Sequence, residues 1–201
     1  RFDYRLVAED VASFLRELGV ESYHLIGHSM GGKVAMSLAL QRPEEVASLV
    51  VVDIAPTRYE HRNDRELAAM QAVRDAAAAS RREADEIMSE RIDNRAIRAF
   101  LLKNYREGES GRFHWRFNLD GVRDHYEEIV DWPRHDATYD GPVLLIRGDR
   151  SPYVGDKDAR RFGELFPQGG VSTIEGAGHW LHAEQREEFL ELLRSFLDRV
   201  V

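Results

Sequence analysis

Apolar positions recur along the chain with two different periods, and the periods alternate. Val7, Val11, Phe14, Leu15 and Leu18 return at helical spacing, so residues 5–18 read as an amphipathic helix that stops at Gly19. Residues 23–26 (Tyr-His-Leu-Ile) form a short apolar run ahead of a glycine, as in a buried strand. Residues 30–40 are rich in helix formers and end ahead of Pro43, which disfavours helix in the residue before it. Residues 46–54 are a near-continuous β-branched run, the pattern of a strand covered on both faces. The same alternation returns near the C-terminus, with a strand over 143–147, a helix over 158–166, a strand over 171–174 and an amphipathic helix over 184–199. Strands that alternate with helices predict an α/β chain with a mostly parallel sheet flanked by helices.

Residues 57–140 differ in character. They are charged, and 65–79, 82–91 and 95–103 read as helices. Aromatic residues alternate over 112–119 (Phe113, Trp115, Phe117), predicting one irregular extended piece, and a further helix is expected over 122–131 after the Asp120-Gly121 turn. The block is too long for a simple connection. It divides the chain into core residues 1–56, a helical cap insertion over 57–140, and core residues 141–201.

Composition narrows the possible functions. The chain has 201 residues, with 28 basic and 36 acidic side chains and a net charge of −8. An acidic chain without a basic run has no electrostatic footprint for nucleic acid or an anionic membrane surface. No apolar run approaches the ~18 residues of a membrane span. The chain has no cysteine, which excludes disulfides, thiolate metal sites and cysteine nucleophiles. It opens on Arg1 and enters a helical pattern at once, with no targeting segment in view. A cytoplasmic protein whose true N-terminus lies upstream is the expectation. Oligomeric state is not legible.

Gly27-His28-Ser29-Met30-Gly31 is a G-x-S-x-G sequence placed after a predicted strand and at the opening of a predicted helix. In that context the turn is tight, the serine Oγ is exposed, and the helix N-terminus faces any negative charge that develops nearby. Gly27 and Gly31 are expected where a Cβ would collide, and Gly32 extends the patch of small residues. Ser29 is therefore the candidate nucleophile. Its base should be a histidine in a loop after the last strand. Gly176-Ala177-Gly178-His179-Trp180 supplies one, and His179 is assigned as the base. His182 is its local competitor, expected instead to begin the helix or to pack on the core. His28 should point away from the Ser29 Oγ, and His24 should lie in a strand. His61, His114, His125 and His135 fall in the insertion, none at metal-ligand spacing to another.

The stretches GHSMGG, VVDIAP and GAGHWLHAE resemble the α/β-hydrolase superfamily. More narrowly, they resemble the YbfF-type bacterial esterases, relatives of the abhydrolase-domain-containing 11 proteins. The resemblance implies an α/β-hydrolase fold with a cap, and a Ser-His-acid triad without cofactor or metal. The triad acid commonly follows the strand after the cap, three residues past a glycine. Here that position is Ser151, which carries no charge. Asp149, one residue past Gly148, is in a register that points elsewhere. Asp53, at the end of the preceding strand, is where some members of the superfamily, the resembled group included, place the acid. Asp53 is favoured, with Asp149 the alternative. The oxyanion would be held by the backbone N–H of Met30, the residue after the nucleophile. Phe113, Trp115 and Tyr126 are candidates for an acyl pocket, although aromatics in a helical insertion also serve its own core.

The implied activity is hydrolysis of carboxylic esters or acyl thioesters, short to medium in acyl length and including acyl-CoA. A cofactor-free haloperoxidase or perhydrolase would use the same triad, and a non-catalytic binding protein could retain the turn. The family sheet has eight strands, whereas four are expected here, so the front strands and the second oxyanion donor are expected to be missing. One absent donor costs roughly 3–4 kcal/mol of transition-state stabilisation, or about 10²–10³ in rate, and an unpaired apolar edge favours aggregation. The 201-residue chain made alone is therefore expected to aggregate and to hydrolyse p-nitrophenyl butyrate poorly. A monodisperse chain with ordinary esterase turnover would overturn that expectation.

Overall fold

A computed structural model describes residues 2–201. They divide into two units, one made of residues up to Arg58 together with Asp131–Val201, the other of Tyr59–Val130. The first unit opens with α1 (Tyr4–Glu17), whose first turn is capped by the Asp3 carboxylate accepting from the Arg5 N–H at 2.9 Å. Then follow β1 (Tyr23–His28), α2 (Met30–Gln41) and β2 (Val46–Val52). These lie within one or two residues of the stretches marked out by periodicity.

The second unit is α3 (Asp64–Asp75), α4 (Arg81–Ser89) and α5 (Arg95–Leu101), then a hairpin of β3 (Tyr105–Glu107) and β4 (Phe113–Trp115), then α6 (Leu119–Asp124) and α7 (Tyr126–Val130). The single extended piece expected over 112–119 is thus the second arm of an antiparallel hairpin, with Tyr105 opposite Trp115. The first arm, Tyr105–Glu107, is three residues long and has none of the aromatic alternation that marked the second. The helix expected over 122–131 is broken at His125, and the one expected to reach Ala79 stops at Asp75, with Ala77 at φ 50°. Leu67, Met70, Val73, Met88, Tyr105 and Trp115 form this unit's own core.

The chain returns through β5 (Val143–Gly148), α8 (Asp156–Leu165), β6 (Gly169–Ile174), α9 (Leu181–Glu184) and α10 (Arg186–Val200). Residues 131–140, expected to belong to the insertion, fall in the first unit. The reason is local. Lys33 Nζ donates to the Asp131 carbonyl at 2.7 Å, the Tyr139 hydroxyl donates to the Val46 carbonyl at 2.9 Å, and the Trp132 ring lies 6.5 Å from that of Tyr4. His135, placed with the insertion by sequence, accordingly meets Ser37 Oγ at 3.3 Å within the first unit.

The first unit's sheet is parallel throughout, in the order β1-β2-β5-β6. Leu49, Val50, Val51 and Val52 are buried, as a central strand covered on both faces requires. One face is closed by α9 and α10 through Leu181, Phe189 and Phe196 against Val50, Ile146 and Ile174. The helix α2 packs on β1 and β2, with α1 beside it. Among the described residues, β1 pairs with β2 alone and stands at the sheet's edge, where Ile26 is 51% exposed.

Lys33 lies in this packing with 2% exposure. Burial, the dominant influence, pushes its ammonium from the ordinary 10.5 down to about 7; Asp131 opposes the shift and Arg58 adds to it. Between those two values the unfolded chain binds a proton that the folded chain does not, so stability must rise with pH across that window. Against Lys33→Met, the parent should therefore gain on the order of 2–4 kcal/mol between pH 7 and pH 10. Denaturant unfolding of both proteins at pH 7 and 9.5 checks this, and a difference independent of pH would refute it.

Candidate active site

The register of the parallel sheet sets the ends of β1 and β2 level with one another, and those of β5 and β6 level two residues further on. His28 is opposite Val52, Val52 opposite Ile146, and Gly148 opposite Ile174. The segments that leave these strands therefore gather along one edge, the carboxyl edge where open α/β sheets build their sites. Each is tied to its neighbour. The Ser29 N–H donates to Val52 O at 3.0 Å, the Asp53 N–H to Ile146 O at 2.8 Å, and the Asp149 N–H to Ile174 O at 3.1 Å.

Ser29 occupies the turn between β1 and α2 with φ 54° and ψ −125°, a conformation that costs a non-glycine residue about 1–3 kcal/mol. Close packing around the turn is made possible by Gly27 and Gly32. A Cβ on Gly27 would run into the Gly31 carbonyl, and one on Gly32 would run into Ile54. Gly31 does not have the role expected of it: its Cβ position faces open space, because this side of the helix start is exposed.

Asp53 leaves β2 with φ 52°, a second strained residue that periodicity did not reveal. Its carboxylate is fully buried. Three donors converge on it: Gly148 N–H at 3.2 Å on Oδ1, and His179 Nδ1–H at 2.7 Å and the Ser151 hydroxyl on Oδ2. A carboxylate accepts only, so Nδ1 of His179 carries hydrogen and Nε2 presents a lone pair. Ser29 Oγ lies 3.0 Å from that Nε2 and donates to it. The Tyr153 ring stacks on the imidazole at 4.1 Å. The three side chains thus form one chain of hydrogen bonds, although 150 residues separate Ser29 from His179.

The loop bearing His179 is fastened by Glu184, whose carboxylate accepts from Gly178 N–H at 2.7 Å and Trp180 N–H at 3.2 Å. It also lies directly against β5, since a Cβ on Gly148 would strike the Ala177 carbonyl. Met30, 48% exposed, is the first residue of α2, so its N–H has no acceptor within the helix. Asp149 is exposed and is not brought to His179. Phe113, Trp115 and Tyr126 all lie in the second unit and contribute to its core, where Trp115 Nε1 donates to Met70 O at 3.1 Å and the Tyr126 hydroxyl accepts from Asn63 N–H at 2.9 Å. His182 is the second residue of α9, its ring 6.2 Å from that of Phe189, and His24 lies in β1 with Nδ1 2.7 Å from Ser48 Oγ. Among the described residues no cluster of three His, Cys, Asp or Glu side chains could hold a metal ion. No described helix is long and apolar enough to cross a membrane.

Residues 1–185 match the α/β-hydrolase fold family. The chain belongs to that family. It is 40% identical over 205 residues to an sn-1-specific diacylglycerol lipase ABHD11 of Xenopus laevis, covering 97% of this chain and 64% of that protein. It is 36% identical over 197 residues to the Escherichia coli esterase YbfF, covering 98% of this chain and 75% of the relative. A marine microorganism esterase superposes with TM-score 0.93 at 35% identity, over 98% of this chain and 78% of that one. The chain of this hydrolase-family member spans under two thirds of the length of the vertebrate relative.

Sequence reasoning missed the role of Ser151, although it singled the residue out as an uncharged substitute at the usual acid position. It also missed Tyr153 and Glu184, which carry no motif. The carboxylate geometry gives a direct discrimination. Asp53→Asn would turn an NH₂ or a neutral oxygen toward three donors, and should lower kcat by about 10³–10⁴. Asp149→Asn should stay within about threefold of the parent. Steady-state ester hydrolysis by both variants checks the assignment, and the reverse order would refute it.

Proposed function

We propose that this hydrolase-family member is a serine hydrolase of carboxylic esters, with Ser29 as nucleophile, His179 as general base and acid, and Asp53 as the orienting carboxylate. The observation that carries the reading is the unbroken hydrogen-bond chain from Ser29 Oγ to His179 Nε2 at 3.0 Å, and from His179 Nδ1 to Asp53 Oδ2 at 2.7 Å. The names of the relatives, esterase and diacylglycerol lipase, support the ester class.

The chemistry follows from the atoms. His179 Nε2 takes the Ser29 proton as Oγ attacks the acyl carbonyl, and negative charge builds on the carbonyl oxygen. The Met30 N–H at the head of α2 donates to that oxygen, aided by the positive end of the helix. The imidazolium then hands its proton to the departing alkoxide, which leaves as the alcohol and an acyl-Ser29 ester. Water, deprotonated by His179, attacks that ester, and collapse of the second tetrahedral intermediate releases the acid and restores Ser29. Asp53 remains ionised, holding the Nδ1–H and offsetting the imidazolium charge. The same steps serve an acyl thioester, with a thiol leaving in place of the alcohol, so acyl thioesters belong to the proposed substrate range beside carboxylic esters.

Ser29→Ala should lower kcat by about 10⁴-fold or more, since the members of such a triad act as a unit. A fluorophosphonate probe should label the parent at Ser29 and leave the variant unlabelled. Residual hydrolysis within about tenfold of the parent would remove the assignment, and an unlabelled parent would favour a binding protein that kept the turn. A panel of p-nitrophenyl esters and acyl-CoA thioesters separates the two substrate classes.

A further inference from the structure

His28 is the last residue of β1 and the neighbour of Ser29, and its side chain reaches the loop that carries His179. Its Nε2 lies 2.9 Å from the backbone carbonyl oxygen of His179. A carbonyl only accepts, so this nitrogen carries hydrogen and donates. The ring stands against those of His179 and His182, with centroids 4.7 Å and 4.8 Å away, and against Trp180 at 6.1 Å. The bond joins the strand that delivers the nucleophile to the loop that delivers the base.

That loop has polar backbone groups that need partners once water is excluded. Glu184 accepts from the N–H groups of Gly178 and Trp180, on either side of His179. His28 engages the His179 carbonyl itself. The His179 carbonyl and the Trp180 N–H belong to one peptide unit, so anchors of opposite polarity at its two ends fix the plane beside which the imidazole projects. We propose that His28 is a positioning residue for His179, its Nε2–H holding the His179 carbonyl so that the imidazole meets Ser29 at hydrogen-bond distance. The proposal rests on the serine-hydrolase reading and adds to it a residue that the triad itself does not include.

The surroundings of the ring also favour its neutral form. The titratable groups that face it are His179 on its loop, His182 on α9 and Asp53 after β2. Burial, first among the influences, holds the His28 imidazolium below its ordinary range; the two neighbouring imidazoles act in the same direction, while the carbonyl bond and Asp53 oppose them. No second positive charge then lies beside His179 when it accepts the serine proton. The acid limb of the kcat/KM profile should accordingly report one proton.

The test compares His28→Gln, which keeps an N–H donor of similar reach, with His28→Met, which keeps volume and loses the donor. Thermal unfolding is followed to establish that each variant is folded. His28→Met should lower kcat about 10- to 100-fold with KM changed less than about twofold, the signature of a misdirected base, while His28→Gln should recover most of that loss. The acid limb should keep its one-proton slope and its midpoint in His28→Gln. The proposal is overturned by parental kcat in His28→Met, by equal losses in the two variants, or by a two-proton limb in the parent that becomes one in His28→Gln. Should His28→Met unfold, His28→Leu takes its place, and a folded His28→Gln that has lost kcat more than about tenfold is by itself enough to reject the proposal. Ser29→Ala and fluorophosphonate labelling of the parent run alongside. An active Ser29→Ala would sink the serine-hydrolase reading, whereas a labelled parent with an indifferent His28→Met sinks only the positioning role.

Discussion

A carboxylate without solvent exposure must be given hydrogen-bond donors or give up its charge. Asp53 is such a group, and its surroundings are arranged to supply donors. Gly148 offers its backbone N–H, Ser151 its hydroxyl and His179 its Nδ1–H. The three come from two segments remote in sequence from Asp53, and meeting them aligns the histidine loop with Ser29. The tautomer of His179 follows from the same constraint, because only Nδ1–H can satisfy a carboxylate on that side.

Ser151 gives a physical account of how an acid can follow β2 instead of β5. The residue three past Gly148 still reaches the carboxylate site, but as a hydroxyl donor. Two carboxylates there would repel each other, whereas one carboxylate and one hydroxyl share a proton-rich, low-dielectric pocket at lower cost. The strain at Asp53, with φ 52°, is tolerated because β2 is central and its end is held by the bond from the Asp53 N–H to Ile146 O. Strained residues persist where the surrounding structure over-determines them, and Ser29 and Asp53, which follow adjacent strands, are both of this kind.

Much of the fold was legible because the relevant signals are local. The β-branched run at Val46–Val52 can hardly be anything but a strand buried on both faces, and the two-glycine turn around Ser29 announces itself between strand and helix. Signals that need more than a few residues failed where the elements are short. Of the β3–β4 hairpin only the second arm was marked, by the alternation of Phe113, Trp115 and Phe117, while the three residues of β3 carried no such signal, and the break at His125 has no proline or cap to mark it. The boundary of the insertion was misplaced for a different reason. Residues 131–140 are polar and irregular, and what assigns them to the first unit is a buried lysine and a tyrosine hydroxyl reaching backbone carbonyls.

Sequence by itself determined the α/β class and singled out Ser29 as the proposed nucleophile and the His179 loop as the source of its base, since each depends on a periodicity or a motif within about ten residues. It also narrowed the acid to two aspartates. Which of them faces the histidine was decided by tertiary structure. The parallel register gathers the ends of β1, β2, β5 and β6 along one edge, where Asp53 is buried and bonded to His179 while Asp149 is turned to solvent. The partners that orient the site, namely His28, Ser151, Tyr153 and Glu184, could likewise be assigned only from the folded chain. A hydrogen bond across a fold leaves no periodicity in the sequence, because its two ends are fixed by the packing of the sheet and not by their spacing along the chain.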